Sequence, residues 1–193
     1  MWFILLGGMV SGILSSYTSW FIRLPFTFNF WPGVWFGILF LLLLNRLKAK
    51  LIVLPKQLIF IIFSIAAWVA AYWSAYFVAS NPIICPSEFG PCAPELFFAL
   101  FVGGAVGALI LCATAKVLFG IFKFNQILIL IIVSGVLGIT GFYAEDLVGK
   151  GIQFAGGAQY LGSQITLFVV WQVGMIALMN YFLKQNTKIL TNE

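Results

Sequence analysis

Apolar residues fill six long runs along the chain, and polar residues collect between them. The runs cover residues 2–22, 32–45, 57–79, 95–119, 126–143 and 164–183. They are unbroken rather than alternating, so helices are expected in place of the short strands of a barrel. A helix needs about 20 apolar residues to cross a hydrocarbon core. The pattern predicts an all-α polytopic membrane protein: one integral domain over residues 1–193, a bundle of six transmembrane helices. The first run, WFILLGGMVSGILSSYTSWFI, has no basic residues ahead of it and no clear small-x-small cleavage site, so it reads as a true span rather than a secretory signal. The second is short. RLPFTFNFWPG, residues 23–33, leads into it, and Pro32 suits a first helical turn. Residues 24–31 are expected in the outer interface or dipping into the bundle, where non-helical backbone must be covered by protein or line a water-filled cavity.

Charge orients the runs. Arg46, Lys48, Lys50 and Lys56 lie between the second and third, Lys116 and Lys123 near the junction of the fourth and fifth, and Lys184 and Lys188 at or after the end of the sixth. With six crossings these eight share one side, and only Arg23 and Lys150 fall on the other. The positive-inside rule then places both termini in the cytoplasm. Glu88, Glu95, Glu145 and Asp146 fall outside. The expected location is a bacterial inner membrane with loop 80–94 in the periplasm. That loop carries CPSEFGPC, residues 85–92. In an oxidising compartment Cys85 and Cys92 are expected to close a small disulfide loop stiffened by Pro82, Pro86, Pro91 and Pro94, the alternative being two free thiols. The six intervening residues do not match the two-residue spacing of a redox-active pair. Cys112, deep in the fourth run, reads as a small packing residue.

Composition narrows the chemistry. The 193 residues are 63% hydrophobic, 18% aromatic and 8% charged, with net charge +5 and no histidine. Such a chain is fit for a lipid bilayer, not for water. The missing histidine removes His-ligated haem, His-based metal sites and Ser–His or Cys–His catalysis. No constellation of nucleophile, base and metal ligand can be assembled, so no enzyme, metal or cofactor is expected. The basic residues are scattered singles without a groove, so no nucleic acid partner is expected either.

Small residues recur at helical spacing: Gly8, Gly12 and Ser16 on the first run, Gly103 and Gly107 beside Gly104 on the fourth, Ser134 and Gly138 on the fifth. In lipid such rows let helix backbones approach closely. They fit packing within the bundle, or, for the first run, docking of a partner membrane subunit or second copy. GGMVSGIL, residues 7–14, is echoed by GGAVGALI, residues 103–110, a faint hint of a three-plus-three inverted repeat.

Aromatic residues concentrate towards the outside, including Trp20, Trp31, Trp35, Tyr72, Trp73, Tyr76 and Trp171. Ordinary aromatic belts decorate both interfaces. Trp68, Tyr72 and Tyr76 follow one another at four-residue steps and form one stripe from midplane to outer surface. With Trp31, Trp35, Trp171 and Gln172, the stripe is the candidate wall of an outward-facing pocket for a small apolar or aromatic ligand; the alternative is lipid-facing or core packing. Gln172 and Asn180 are the polar residues of the sixth run that can share a face. Glu145 to Ser163, with five glycines, is expected as an outer loop, lid or re-entrant segment.

Two functions fit. One is binding or transport of a small solute, alone or as a subunit of a larger transporter. The outline of six spans, a small-residue row on the first and an aromatic outer half resembles the substrate-binding S components of energy-coupling-factor importers, in size and topology. That resemblance implies a capture subunit whose energy comes from a partner. The other is a non-catalytic structural or assembly subunit of a membrane complex.

Overall fold

A computed structural model describes residues 2–21, 30–47, 53–81, 93–154 and 159–191. The described residues form six helices and no strand: α1 (Trp2–Phe21), α2 (Trp31–Leu47), α3 (Leu54–Ser80), α4 (Ala93–Phe119), α5 (Phe124–Phe154) and α6 (Gln159–Thr191). Four stretches are long and apolar enough to cross a membrane: Leu54–Ser80, Pro94–Phe119, Phe124–Ala144 and Thr166–Asn186. The chain is therefore a helical membrane protein. The 17 residues of α2 reach about 26 Å, short of a hydrocarbon core of about 30 Å. In α1 the shorter apolar stretch is Leu5–Ser15. Residues 22–29, which hold most of the segment leading into α2, lie outside the described residues, as do Cys85 and Cys92.

One expectation is corrected. Residues 145–163 were expected as a glycine-rich loop, yet α5 continues through Glu145 and Asp146 to Phe154, and α6 begins at Gln159. Single glycines weaken a helix by only about 1 kcal/mol each, so a long helix can carry Gly149 and Gly151.

Each helix packs against the next, and α6 closes back on α1, so the six make a ring. The ring is drawn tight by glycines. A side-chain carbon added at Gly12 would lie 2.7 Å from Val169 Cα on α6, and one at Gly8 would lie 2.8 Å from Val173 Cα. One at Gly33 would lie 2.7 Å from Ile65 Cα on α3, and one at Gly138 would lie 2.8 Å from the Leu100 carbonyl of α4. Lipid offers little hydrophobic drive for helices to associate, so this backbone-to-backbone approach supplies the contact. The echoed glycine pairs do not face equivalent neighbours: Gly7 meets Leu39 of α2, whereas Gly103 meets Ala71 of α3. A two-fold axis in the membrane plane would also reverse the sense of the second three helices round the ring, and the chain keeps one sense throughout.

Polar groups tie the ends. The Lys56 ammonium donates to the Leu118 carbonyl at 3.2 Å, which sets the start of α3 beside the end of α4. Gln126 and Asn186 exchange amide hydrogen bonds of 3.2 and 3.0 Å, which sets the start of α5 beside α6. Arg46, Lys56, Lys116, Lys123 and Lys184 thus share one end of the ring. Arg46 and Lys116 lie in the last turns of α2 and α4, where positive charge suits the helix dipole.

That basic half is solid. Phe40 stacks on Phe60 with centroids 4.9 Å apart, and Phe60 meets Phe119 at 5.5 Å. Phe40, Leu44, Leu130, Met175, Ile176 and Met179 are fully buried around them. Cys112 is buried in the same core as a free cysteine. Between α4 and α5 the chain turns at Gly120, whose φ of 66° lies in the left-handed region and whose N–H donates to the Lys116 carbonyl at 2.9 Å.

Two glycine substitutions separate backbone strain from steric strain. Gly120→Ala has open space round its new carbon but an unfavourable φ, and should lower stability by about 1–2 kcal/mol. Gly12→Ala meets α6 backbone and should cost about 1–3 kcal/mol as the helices part. Thermal melts should show both variants below wild type, with Gly107→Ala, whose new carbon meets the Ala71 methyl at 3.1 Å and the Ala67 carbonyl at an ordinary 3.5 Å, much nearer to it.

Candidate functional site: a hollow in the half opposite the lysines

The half of the ring opposite the basic end is hollow. A cavity of about 460 Å³ lies among α2, α3, α4, α5 and α6. Its lining comes from the first turns of α2 (Pro32, Gly33, Phe36), the middle of α3 (Ser64 to Ala75), the middle of α4 (Leu100 to Leu111), Gly138 of α5, and Leu167, Phe168 and Trp171 of α6. Ligand sites fall within about 300–1,000 Å³. The cavity ends against Phe36, Leu111 and Trp171, beyond which the solid half begins.

One wall is aromatic. Trp68 meets Phe168 edge to face with centroids 5.1 Å apart, and Phe36 tilts against Trp171 at 5.2 Å. Another wall is smooth. Gly103, Gly104 and Gly107 line it, and their missing side chains point into seams with α3 and α5 instead of into the hollow. The cavity therefore meets helix backbone there.

Hydrogen bonds hold these walls. The Trp171 indole N–H donates to Ser134 Oγ at 2.9 Å, and the Ser134 hydroxyl donates to the Gly104 carbonyl at 2.8 Å. One serine joins α6, α5 and α4. Across the cavity the Ser64 hydroxyl donates to the Gly33 carbonyl at 2.7 Å and joins α3 to α2. The carbonyls of Gly33 and Gly104 thereby gain a second partner beyond their helix bonds. Among the described residues that line the cavity, none is charged. No group of three or more metal-binding side chains occurs among the described residues.

The residues expected to form the pocket divide. Trp68, Tyr72 and Trp171 line the cavity. Tyr76 is 55% exposed on the outside of α3, where it stacks on Tyr72 at 6.4 Å and meets Trp73 at 5.7 Å. A four-residue step advances a helix by 400°, so the stripe drifts round α3 and leaves the wall. Trp31 and Trp35 are partly buried on α2 and do not line the cavity; Trp31 stacks on Phe30. Gln172 is buried on a different face. Its amide nitrogen donates to Ser15 Oγ at 3.0 Å, and the Ser15 hydroxyl donates to the Ser11 carbonyl at 2.7 Å. It fastens α6 to α1, outside the cavity.

The small-residue rows are occupied from within the chain. Gly8 and Gly12 face Val173 and Val169 of α6, and Gly103 and Gly107 face Ala71 and its neighbours on α3. The side chain of Ser16 lies outside the described residues. Phe36 and Phe168 are wall residues that the sequence did not mark, because a chain with 21 phenylalanines gives no reason to choose two. Glu95, in the first turn of α4, is 1% exposed; a helix N-terminus suits its negative charge.

Comparison with protein-family models, curated proteins and solved structures finds no match. The site is therefore read from its own geometry.

The three-helix junction is open to a double-mutant cycle. Ser134→Ala leaves a buried indole N–H without its acceptor and should cost about 1–3 kcal/mol. In a Trp171→Phe background no donor remains to be stranded, so the added loss should be clearly smaller, giving a coupling of at least about 0.5 kcal/mol by thermal or denaturant unfolding.

Proposed function

We propose that this protein binds a small, largely apolar solute in the cavity of its lysine-poor half, as a transporter or as the binding subunit of a larger one. The observation that carries the reading is the combination of a 460 Å³ hollow with an aromatic wall formed by Trp68, Phe168, Trp171 and Phe36. A helix bundle that served only as a scaffold gains nothing from keeping a cavity of this size in its interior, since each lost packing contact lowers its stability. A scaffold reading also leaned on the small-residue rows as docking faces. The rows of α1 and α4 meet helices of the same chain, which removes that support.

In this reading the helices make six crossings, with both termini and the basic end in the cytoplasm. The hollow half then opens towards the periplasm of a bacterial cell, and the loop with Cys85 and Cys92 lies on the same side. The solid half closes the route beneath the cavity, so passage of solute requires the ring to rearrange. The reading includes no enzymatic step, and any energy source would come from a partner.

Native mass spectrometry of gently purified protein tests it. The expected result is a small molecule retained by wild type, lost from Trp68→Ala and kept by Phe77→Ala, whose parent side chain is 69% exposed and faces away from the core. A stoichiometric partner protein, with no small molecule in any sample, would contradict it and favour the assembly role.

A further inference from the structure

The geometry points to one ligand class: we propose that the cavity takes a neutral, planar, lipid-soluble molecule. This rests on the solute-binding reading above and gives the solute its chemistry.

Charge is the first observation. The described lining of the cavity holds no acid, lysine or arginine. An ion entering it would give up its hydration without meeting a counter-charge, which disfavours the ionised form strongly. A neutral molecule carries no such burden.

Shape is the second. Trp68, Phe168 and Trp171 present ring surfaces, and rings prefer offset-stacked or edge-to-face partners. Gly103, Gly104 and Gly107 present bare backbone, because their side-chain positions are spoken for by Ala71, Ser134 and their neighbours. Between rings and bare backbone, a flat molecule touches both walls over its whole area. A puckered one of the same size touches them at fewer atoms.

Depth is the third. Tyr72 lines the cavity and is also 52% exposed. It stands eight residues before the end of α3 at Ser80, about 12 Å along the axis. The 27 residues of α3 reach about 40 Å, which leaves about 5 Å beyond a centred hydrocarbon core at each end. Tyr72 is therefore at hydrocarbon depth, so the cavity lining continues onto the lipid-facing side of α3. A solute that dissolves in the bilayer is already concentrated there.

A matched set of bicyclic probes tests the class: 2-naphthol (neutral, planar), 2-decalol (neutral, puckered), 2-naphthoate (anion) and 2-naphthylmethylammonium (cation). Equilibrium binding is measured on the full chain in nanodiscs and corrected for uptake by empty nanodiscs. The expected result is saturable binding of 2-naphthol at least ten-fold tighter than of the other three. Trp68→Ala should weaken it at least ten-fold, and Phe77→Ala should leave it within two-fold. Binding of either ion, or of 2-decalol, as tightly as 2-naphthol and with the same loss in Trp68→Ala would overturn the ligand class while leaving the pocket standing. Saturable binding of none of the four, from protein whose melting temperature matches the untreated sample, would overturn both.

Discussion

The approach of helix backbones at glycine is the constraint on which the structure depends. In water a helix joins its neighbour to hide apolar surface. In lipid that drive is nearly absent, and helices stay together through close packing and hydrogen bonds. Here Gly12 lies against the backbone of Val169, Gly33 against Ile65 and Gly138 against the Leu100 carbonyl. Side-chain hydroxyls reinforce the seams: Ser64 reaches the Gly33 carbonyl, Ser134 the Gly104 carbonyl, and Ser15 accepts from Gln172. Each such bond gives only about 0.6 kcal/mol on average in a membrane bundle, so geometry matters more than strength.

Sealed seams explain how half of the ring can be hollow. Large side chains fill the basic half, where Phe40, Phe60, Met175 and Met179 leave no exposed surface. In the other half the same helices contribute glycine, alanine and serine to their inner faces, and the interior opens. The walls do not collapse inward because their seams are already in contact at backbone distance. Trp171 sits at the boundary of the two halves. It is buried in the core cluster, it lines the floor of the hollow, and its N–H is fixed by Ser134.

Much of this was legible in the sequence, and the rest was hidden for physical reasons. Six helices follow from six unbroken apolar runs, and their cores fall within the helices found. The ends of α5 and α6 were not legible, because glycines at 149, 151, 156, 157 and 162 read as loop while the cost of one glycine in a long helix is small. Trp68 and Tyr72 were marked for the pocket by their four-residue spacing along one stripe, and Trp171 by its place among the outer aromatics. Tyr76, marked by the same stripe, and Gln172, marked as a polar residue of the sixth run, face elsewhere, since a stripe at four-residue steps rotates about the helix and a polar residue in lipid seeks whichever neighbour can bond it. Phe36 and Phe168 carried no signal. Their place on the wall is a property of the assembled ring, in which α2 and α6 bring Phe36 and Phe168 to the same cavity.

The central claim is that an apolar guest sits between the Trp68–Phe168 pair and the glycine wall of α4. Diffraction from crystals grown with 6-bromo-2-naphthol tests it directly, because the anomalous signal of bromine locates the guest without assumption. The account predicts one dominant peak inside the ring, in van der Waals contact at about 4 Å with Trp68, Phe168 or Trp171. A dominant peak on the outer face of α3, beside Trp73 and Tyr76, or no ordered bromine within the ring, would contradict it.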